Sequence, residues 1–187
     1  MLFPEFQELK TDRLILRRLS IADAPLYYSR IGSRPEVSRY MLWEPHSQLA
    51  ETEALIRNLQ TRYASGRCYR WCIALAEDDS PLGVIELLRF DEERESCSFA
   101  YMIGSDYWGS GYGTEALQAA LDFAFSSMQV QAVIADHMAA NPASGRVMQK
   151  AGMTFFRDLP GKYEKNGQSM DAREYRITRS QWLGKTD

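Results

Sequence analysis

The chain has 187 residues, 45% of them hydrophobic, which suits one domain with a sizeable core. A formal net charge of −3 supplies no basic field for nucleic acid or an anionic membrane and mildly favours a cationic or amine-bearing partner. No run of about 18 apolar residues occurs, and Met1 to Phe6 carries no basic region, so the chain reads as cytoplasmic, with no membrane and no direct nucleic-acid partner.

In chain order, residues 13–18 read as a first strand, and Ser20 offers an N-cap for a helix carrying Ala24, Leu26 and Tyr27. Pro35 interrupts. After a loop holding Tyr40, Trp43, Glu44 and His46, Ser47 can cap a second helix, whose Leu49, Leu55, Ile56, Leu59 and Tyr63 face a core and which Gly66 ends. Tyr69, Trp71, Ile73 and Leu75 then alternate as a strand, residues 78–81 turn, residues 82–90 run back, and Cys97 to Ile103 follow an acidic hairpin tip at 91–95. Short links between these three strands predict an antiparallel meander.

That last strand leads into Tyr107-Trp108-Gly109-Ser110-Gly111-Tyr112-Gly113-Thr114-Glu115, after which Ala116, Leu117, Ala120, Leu121, Ala124, Phe125 and Met128 fall at helical spacing. Strand, glycine turn and helix together suit an anion, because glycines let the backbone approach closely and the helix presents free amides and a favourable dipole. A dinucleotide fingerprint fails at its third glycine, where Thr114 stands, and a P-loop fails because Glu115 rather than a lysine follows nearby. A tight turn that binds nothing is the plain alternative.

Residues 130–136 read as another strand, Asn141 and Pro142 as the cap and first position of a short helix that Gly152 ends, and Phe155-Phe156 as the start of a further strand. Residues 161–167 read as a polar loop and 172–178 as the last strand. No repeat or linker divides the chain, so residues 1–187 are expected to form a single mixed α/β domain. Cys68, Cys72, Cys97, His46 and His137 show no metal-ligand spacing; the cysteines read as structural thiols, and no metal is expected.

Trp108 to Ala116, followed about 30 residues later by Asn141-Pro142-Ala143-Ser144-Gly145-Arg146-Val147-Met148-Gln149-Lys150-Ala151-Gly152-Met153, resembles the GCN5-related N-acetyltransferases (GNAT). The chain is most similar to the branch typified by the ribosomal-protein alanine and serine N-acetyltransferases RimJ and RimL. Residues 9–17 and 174–182 support the likeness, which thus covers nearly the whole chain. Trp108 matches that branch, where the broad family carries Gln or Arg. Ser144 departs from the many relatives that place a tyrosine general acid there.

The resemblance implies acetyl transfer from acetyl-coenzyme A, as co-substrate, to a primary amine. It also implies a GNAT-type fold: a central, mostly antiparallel sheet splayed at the cofactor strand, with helices on both faces. Trp108, Gly109, Ser110, Gly111, Tyr112, Gly113 and Thr114 would hold the pyrophosphate, through backbone amides rather than a lysine. The strand around Tyr101, Met102 and Ile103 would offer backbone groups to the pantetheine arm, with Asn141 on the other side. Glu86 is the first candidate base, ahead of Asp136 and His137, and Ser144 is the candidate acid toward the departing sulfur. Tyr40, Trp43 and Glu44 would wall the acceptor groove, Glu44 attracting an ammonium. The acceptor is expected to be a protein N-terminal α-amino group. A small amine (amino acid, polyamine or amine antibiotic) and a non-catalytic acyl-coenzyme A sensor stay open, as does monomer against homodimer.

Overall fold

Eight strands form one sheet in the computed structural model, which describes residues 1–184. They are β1 (Leu9–Lys10), β2 (Leu14–Arg17), β3 (Tyr69–Leu75), β4 (Pro81–Asp91), β5 (Ser96–Ile103), β6 (Ala132–Met138), β7 (Thr154–Lys165) and β8 (Gln168–Thr178). The helices are α1 (Ala24–Tyr27, within a helical stretch from 21 to 32), α2 (Pro35–Ser38), α3 (Leu49–Tyr63), α4 (Tyr112–Asp122), α5 (Pro142–Lys150) and α6 (Arg179–Leu183). The sheet runs β1-β2-β3-β4-β5-β6-β8-β7, and every neighbouring pair is antiparallel except β5 and β6. The expected meander is β3-β4-β5.

Both faces of the central strands are buried, which is why they read as nearly unbroken apolar runs. Tyr69, Trp71, Ile73, Ile85, Leu87 and Phe99 pack under α4, with Phe123 edge-on to Trp71 at 5.3 Å. The seven apolar residues spaced along 116–128 are all buried against this face. Cys72, Ala74 and Val84 point the other way, onto Tyr27, Ile31, Ile56 and Leu59 of the α1 and α3 layer. The three cysteines are unpaired and buried, and burial pushes the Cys72 and Cys97 thiols up to about 12.

The β5–β6 junction is short. Parallel pairing covers Ser96–Ala132, Cys97–Val133 and Ser98–Ile134, after which the strands part and residues 99–103 have no β6 neighbour. Parallel strands need a crossover, and α4 is that crossover, so the glycine turn lies at the end of β5 where the parting is widest.

Two local expectations are corrected. Residues 161–167 are mostly strand: β7 runs to Lys165 and the turn is confined to Asn166 and Gly167. A register shift between Leu159 and Tyr163 breaks the period of two, and exposure on both sides leaves no apolar rhythm to read. Ser47 is not the cap of α3. Gln48 holds the N-cap position, and Ser47 instead donates its hydroxyl and its backbone amide to Glu51.

Gly83 lets β4 and β5 approach beside the parting. A Cβ there would collide with Met102 O and lie 2.8 Å from Ile103 Cδ1. Gly83→Ala is therefore expected to lower stability by about 1–3 kcal/mol, the usual cost of overpacking, measured by urea denaturation.

Candidate active site

The glycine turn is a ring of free donors. Gly109 and Gly111 adopt φ of 78° and 85°, a region that favours glycine, and Gly111 is the N-cap of α4 with no side chain capping the helix. Among the described residues, the backbone N–H groups of Gly109, Ser110, Gly111, Tyr112 and Gly113 have no acceptor, whereas Thr114 and Glu115 bond back to Gly111 O. Such a nest favours a phosphate-bearing anion.

A brace from the β1–β2 edge of the sheet holds the nest. Arg13 Nη1 donates to Ser110 O at 3.0 Å, its Nε donates to Glu115 Oε2 at 2.8 Å, and its guanidinium lies 4.5 Å from the centre of the Tyr112 ring. Thr11 Oγ1 donates to Glu115 Oε1 at 2.6 Å. Burial opposes the Glu115 charge, but these donors more than offset it and lower its pKa. Arg13 thereby neutralises a carboxylate that would repel an anion from the first turn of α4. Trp108 adds to the rim: its Nε1 donates to Ile103 O at 2.8 Å and its ring is 54% exposed, leaving a face for a ligand.

Across the parting, Asn141 caps α5, its Oδ1 accepting from Ser144 N at 3.4 Å. Tyr101 reaches over from β5, its hydroxyl 3.0 Å from Ser144 Oγ. Burial pushes the Tyr101 phenol up to about 12, partly countered by that bond, so near neutral pH both groups are proton donors. Met102 turns to the opposite face, where its Sδ accepts from Tyr27 OH at 3.8 Å. Ile103 O accepts from Trp108 Nε1 and keeps a second lone pair.

On the opposite face, β4 presents Glu86 to a cavity of about 230 Å³ lined mostly by apolar groups, including Met41, Trp43, Leu55, Val84 and Met102. Arg70 Nη1 stands 3.5 Å from Glu86 Oε2, both side chains largely buried. Burial works against the Arg70 charge, but Tyr27 and Glu86 beside it hold its pKa above the ordinary arginine value. Arg70 escapes a sequence reading because it occupies the off-beat of an apolar alternation. Only the β3–β4 register, which pairs it with Glu86, gives it meaning. Arg13 escapes in the same way, its partner lying 102 residues away.

Not every expected residue gathers here. Trp43 lines the cavity, but Tyr40 does not, and Glu44 is exposed and turned toward Lys165 at 3.8 Å. Asp136 is engaged by Lys162 at 2.5 Å and by the Tyr163 hydroxyl. His137 is buried under α5, its Nδ1 on Met138 O at 2.8 Å, and burial lowers its pKa. Both Asp136 oxygens are engaged, whereas His137 Nε2 is buried without a partner among the described residues.

Gly109 supplies a test of the nest, since a Cβ there meets nothing within 4 Å and aspartate is among the residues that best tolerate its φ of 78°. Gly109→Asp places a carboxylate on the ring of amides and is expected to weaken coenzyme A binding by about tenfold or more, roughly 1.4 kcal/mol. Titration calorimetry measures it, with the melting temperature shifting by only a few degrees.

The model of the acetyltransferase (GNAT) domain matches residues 13–154. The uncharacterized N-acetyltransferase p20 of Bacillus licheniformis is 27% identical over 184 residues, covering 95% of this chain and 99% of its own. A candidate ribosomal-protein-serine acetyltransferase from Vibrio cholerae superposes with a TM-score of 0.82 at 19% identity, over 93% of this chain and 98% of its own. Spermidine N-acetyltransferase from Vibrio cholerae, solved with CoA and spermine, superposes with a TM-score of 0.76 at 21% identity, over 92% and 99%. With a nest of amides at the crossover helix and a sheet parted beside it, the chain belongs to the GNAT family and is an N-acetyltransferase.

Proposed function

We propose that this enzyme transfers acetyl from acetyl-coenzyme A to the α-amino group of a protein or peptide N-terminus, as in the RimJ and RimL branch, with residues 1–187 acting as one domain. The carrying observation is the charge of the cavity beside Glu86. Glu86 is the one carboxylate among the lining residues, and Arg70 stands against it. A polyamine brings several positive charges and would meet one countered carboxylate. A peptide N-terminus brings one ammonium, a carbonyl and a side chain, which suit one carboxylate, one guanidinium and apolar walls.

The residues fit the co-substrate. Five unpartnered backbone amides suit a pyrophosphate, and the free edge of β5 suits the amides of an extended arm. When bound, acetyl-coenzyme A supplies the acetyl group activated as a thioester. The nest from Gly109 to Gly113 would hold the pyrophosphate beside Trp108, and Asn141 with the backbone of Tyr101 and Met102 would orient the arm. Glu86 holds the ammonium and takes a proton at a carboxylate oxygen, directly or through water, with Arg70 fixing its position. Ser144 Oγ, backed by the Tyr101 phenol, is the donor facing the opposite side. A neutral α-amine has a pKa near 8, so a carboxylate suffices where a lysine acceptor near 10.4 would need more.

Thiol release is followed with short peptides starting in Ala or Ser, spermidine, free amino acids and an amine antibiotic. Peptides are expected to exceed spermidine in kcat/KM by about tenfold or more; a preference for spermidine assigns a polyamine acceptor instead. The peptide kcat/KM should rise about tenfold per pH unit and level off near pH 8, because only neutral amine attacks. Glu86→Gln should lower it by about 10²-fold, and an unchanged rate and pH profile makes Glu86 structural.

A further inference from the structure

We propose that Lys165, near the tip of the β7–β8 hairpin, is the positioning residue for the acceptor wall, so that a side chain from the far edge of the sheet sets how tightly the amine substrate is held. The inference rests on reading the Glu86 cavity as the acceptor site.

The segment between α2 and α3 brings Met41, Trp43 and His46 to the cavity. Its downstream end is fastened locally. His46 N donates to Gly32 O at 2.8 Å, His46 Nδ1 lies 2.6 Å from Thr52 Oγ1, and Tyr28 OH donates to Ser47 O at 3.1 Å. Its upstream end has one local backbone bond, Met41 N to Ser38 O at 2.9 Å. Everything else that holds residues 39–45 by hydrogen bond or ion pair, among the described residues, comes from Lys165. Its Nζ donates to Ser38 O and Met41 O at 2.8 Å each and to Arg39 O at 3.5 Å, with Glu44 Oε1 at 3.8 Å.

The chemistry of the contact explains why a lysine does this. α2 is one turn long and ends at Ser38, so its last carbonyls have no helical partner. An ammonium has three donors and complements the negative end of a helix. The side chain is only 12% exposed, unusual for lysine, and its donors are matched by the carbonyls of Ser38 at the end of α2 and of Arg39 and Met41 just beyond it.

Lys165 is also a fixed post. Asp136 on β6 takes Lys162 Nζ and the Tyr163 hydroxyl, Gly161 N donates to Asp171 Oδ1 at 2.8 Å, and Lys165 pairs with Gln168 across the hairpin. Contacts thus run from β6, beside the parting, through the hairpin to the acceptor wall. Trp43 Nε1 and Arg70 Nε are buried without partners beside the same cavity, so neither nitrogen fastens the wall by a hydrogen bond.

The test compares Lys165→Met, Lys165→Arg and Glu86→Gln in the full chain, with an alanine-initiated peptide as acceptor. Lys165→Met is expected to raise the peptide KM about tenfold with kcat within about twofold, to leave coenzyme A affinity unchanged, and to speed amide hydrogen exchange within residues 39–46. Lys165→Arg, which keeps the charge and the donors, should recover most of the KM. Unchanged exchange in residues 39–46 of Lys165→Met overturns the proposal whatever the acceptor. A peptide KM that moves in Glu86→Gln but not in Lys165→Met also overturns it, while sparing the acceptor-site reading. If Glu86→Gln alters neither KM nor kcat, the acceptor-site reading falls and the proposal falls with it.

Discussion

Three parallel residue pairs, Ser96–Ala132, Cys97–Val133 and Ser98–Ile134, join the two halves of this sheet, and the rest of the molecule is arranged around where that pairing stops. Below the last pair the backbone groups are spent on each other. Above it β5 keeps β4 on one side but has no strand on the other, and an unpaired strand edge must find a partner in solvent, in the protein or in a ligand. The crossover from β5 to β6 passes through α4, so the amide nest and the open edge are neighbours by topology. One break in a ladder thus produces a place for a phosphate and a place for an extended amide chain.

The two faces of the sheet divide the work. On the α4 and α5 side lie the nest, its Arg13 brace and the Tyr101–Ser144 hydroxyl pair. On the α1 and α3 side lies the Glu86 cavity. Groups on β4 and β5 reach both sides because successive side chains alternate: Tyr101 points toward α5 while Met102 points toward α1. On the proposed reading the sheet is the partition across which two reactants meet, and the parting is the opening in it.

What the sequence disclosed was local. The glycine turn, the apolar stripe of α4 and the Asn141 cap are each written within about a dozen consecutive residues, and each stands where spacing puts it. Glu86 was named as a candidate, yet its setting depends on Arg70, and that pairing exists only through the β3–β4 register. The family resemblance puts Glu44 on the groove wall with the rest of the segment between the first two helices, but the loop turns it outward to Lys165. The β7–β8 arm was hidden because strands wetted on both sides carry no apolar period, and a bulge erases what remains. Arg13 and Lys165 act across the fold on backbone carbonyls, a kind of partner that no residue pattern encodes.

Those long-range ties carry a consequence for how the enzyme comes into being. Arg13 meets Glu115 across 102 residues, Tyr101 meets Ser144 across 43, and Lys165 meets Ser38 across 127. Contacts so distant along the chain form late, after the loop-closure entropy has been met by the surrounding core. A chain lacking its final hairpin would carry the glycine turn and Glu86 on β4 but not the Lys165 ties to residues 38–41. On the proposed reading, catalytic competence is therefore a property of the completed fold, because each part of the site is tied to a residue far away in the chain.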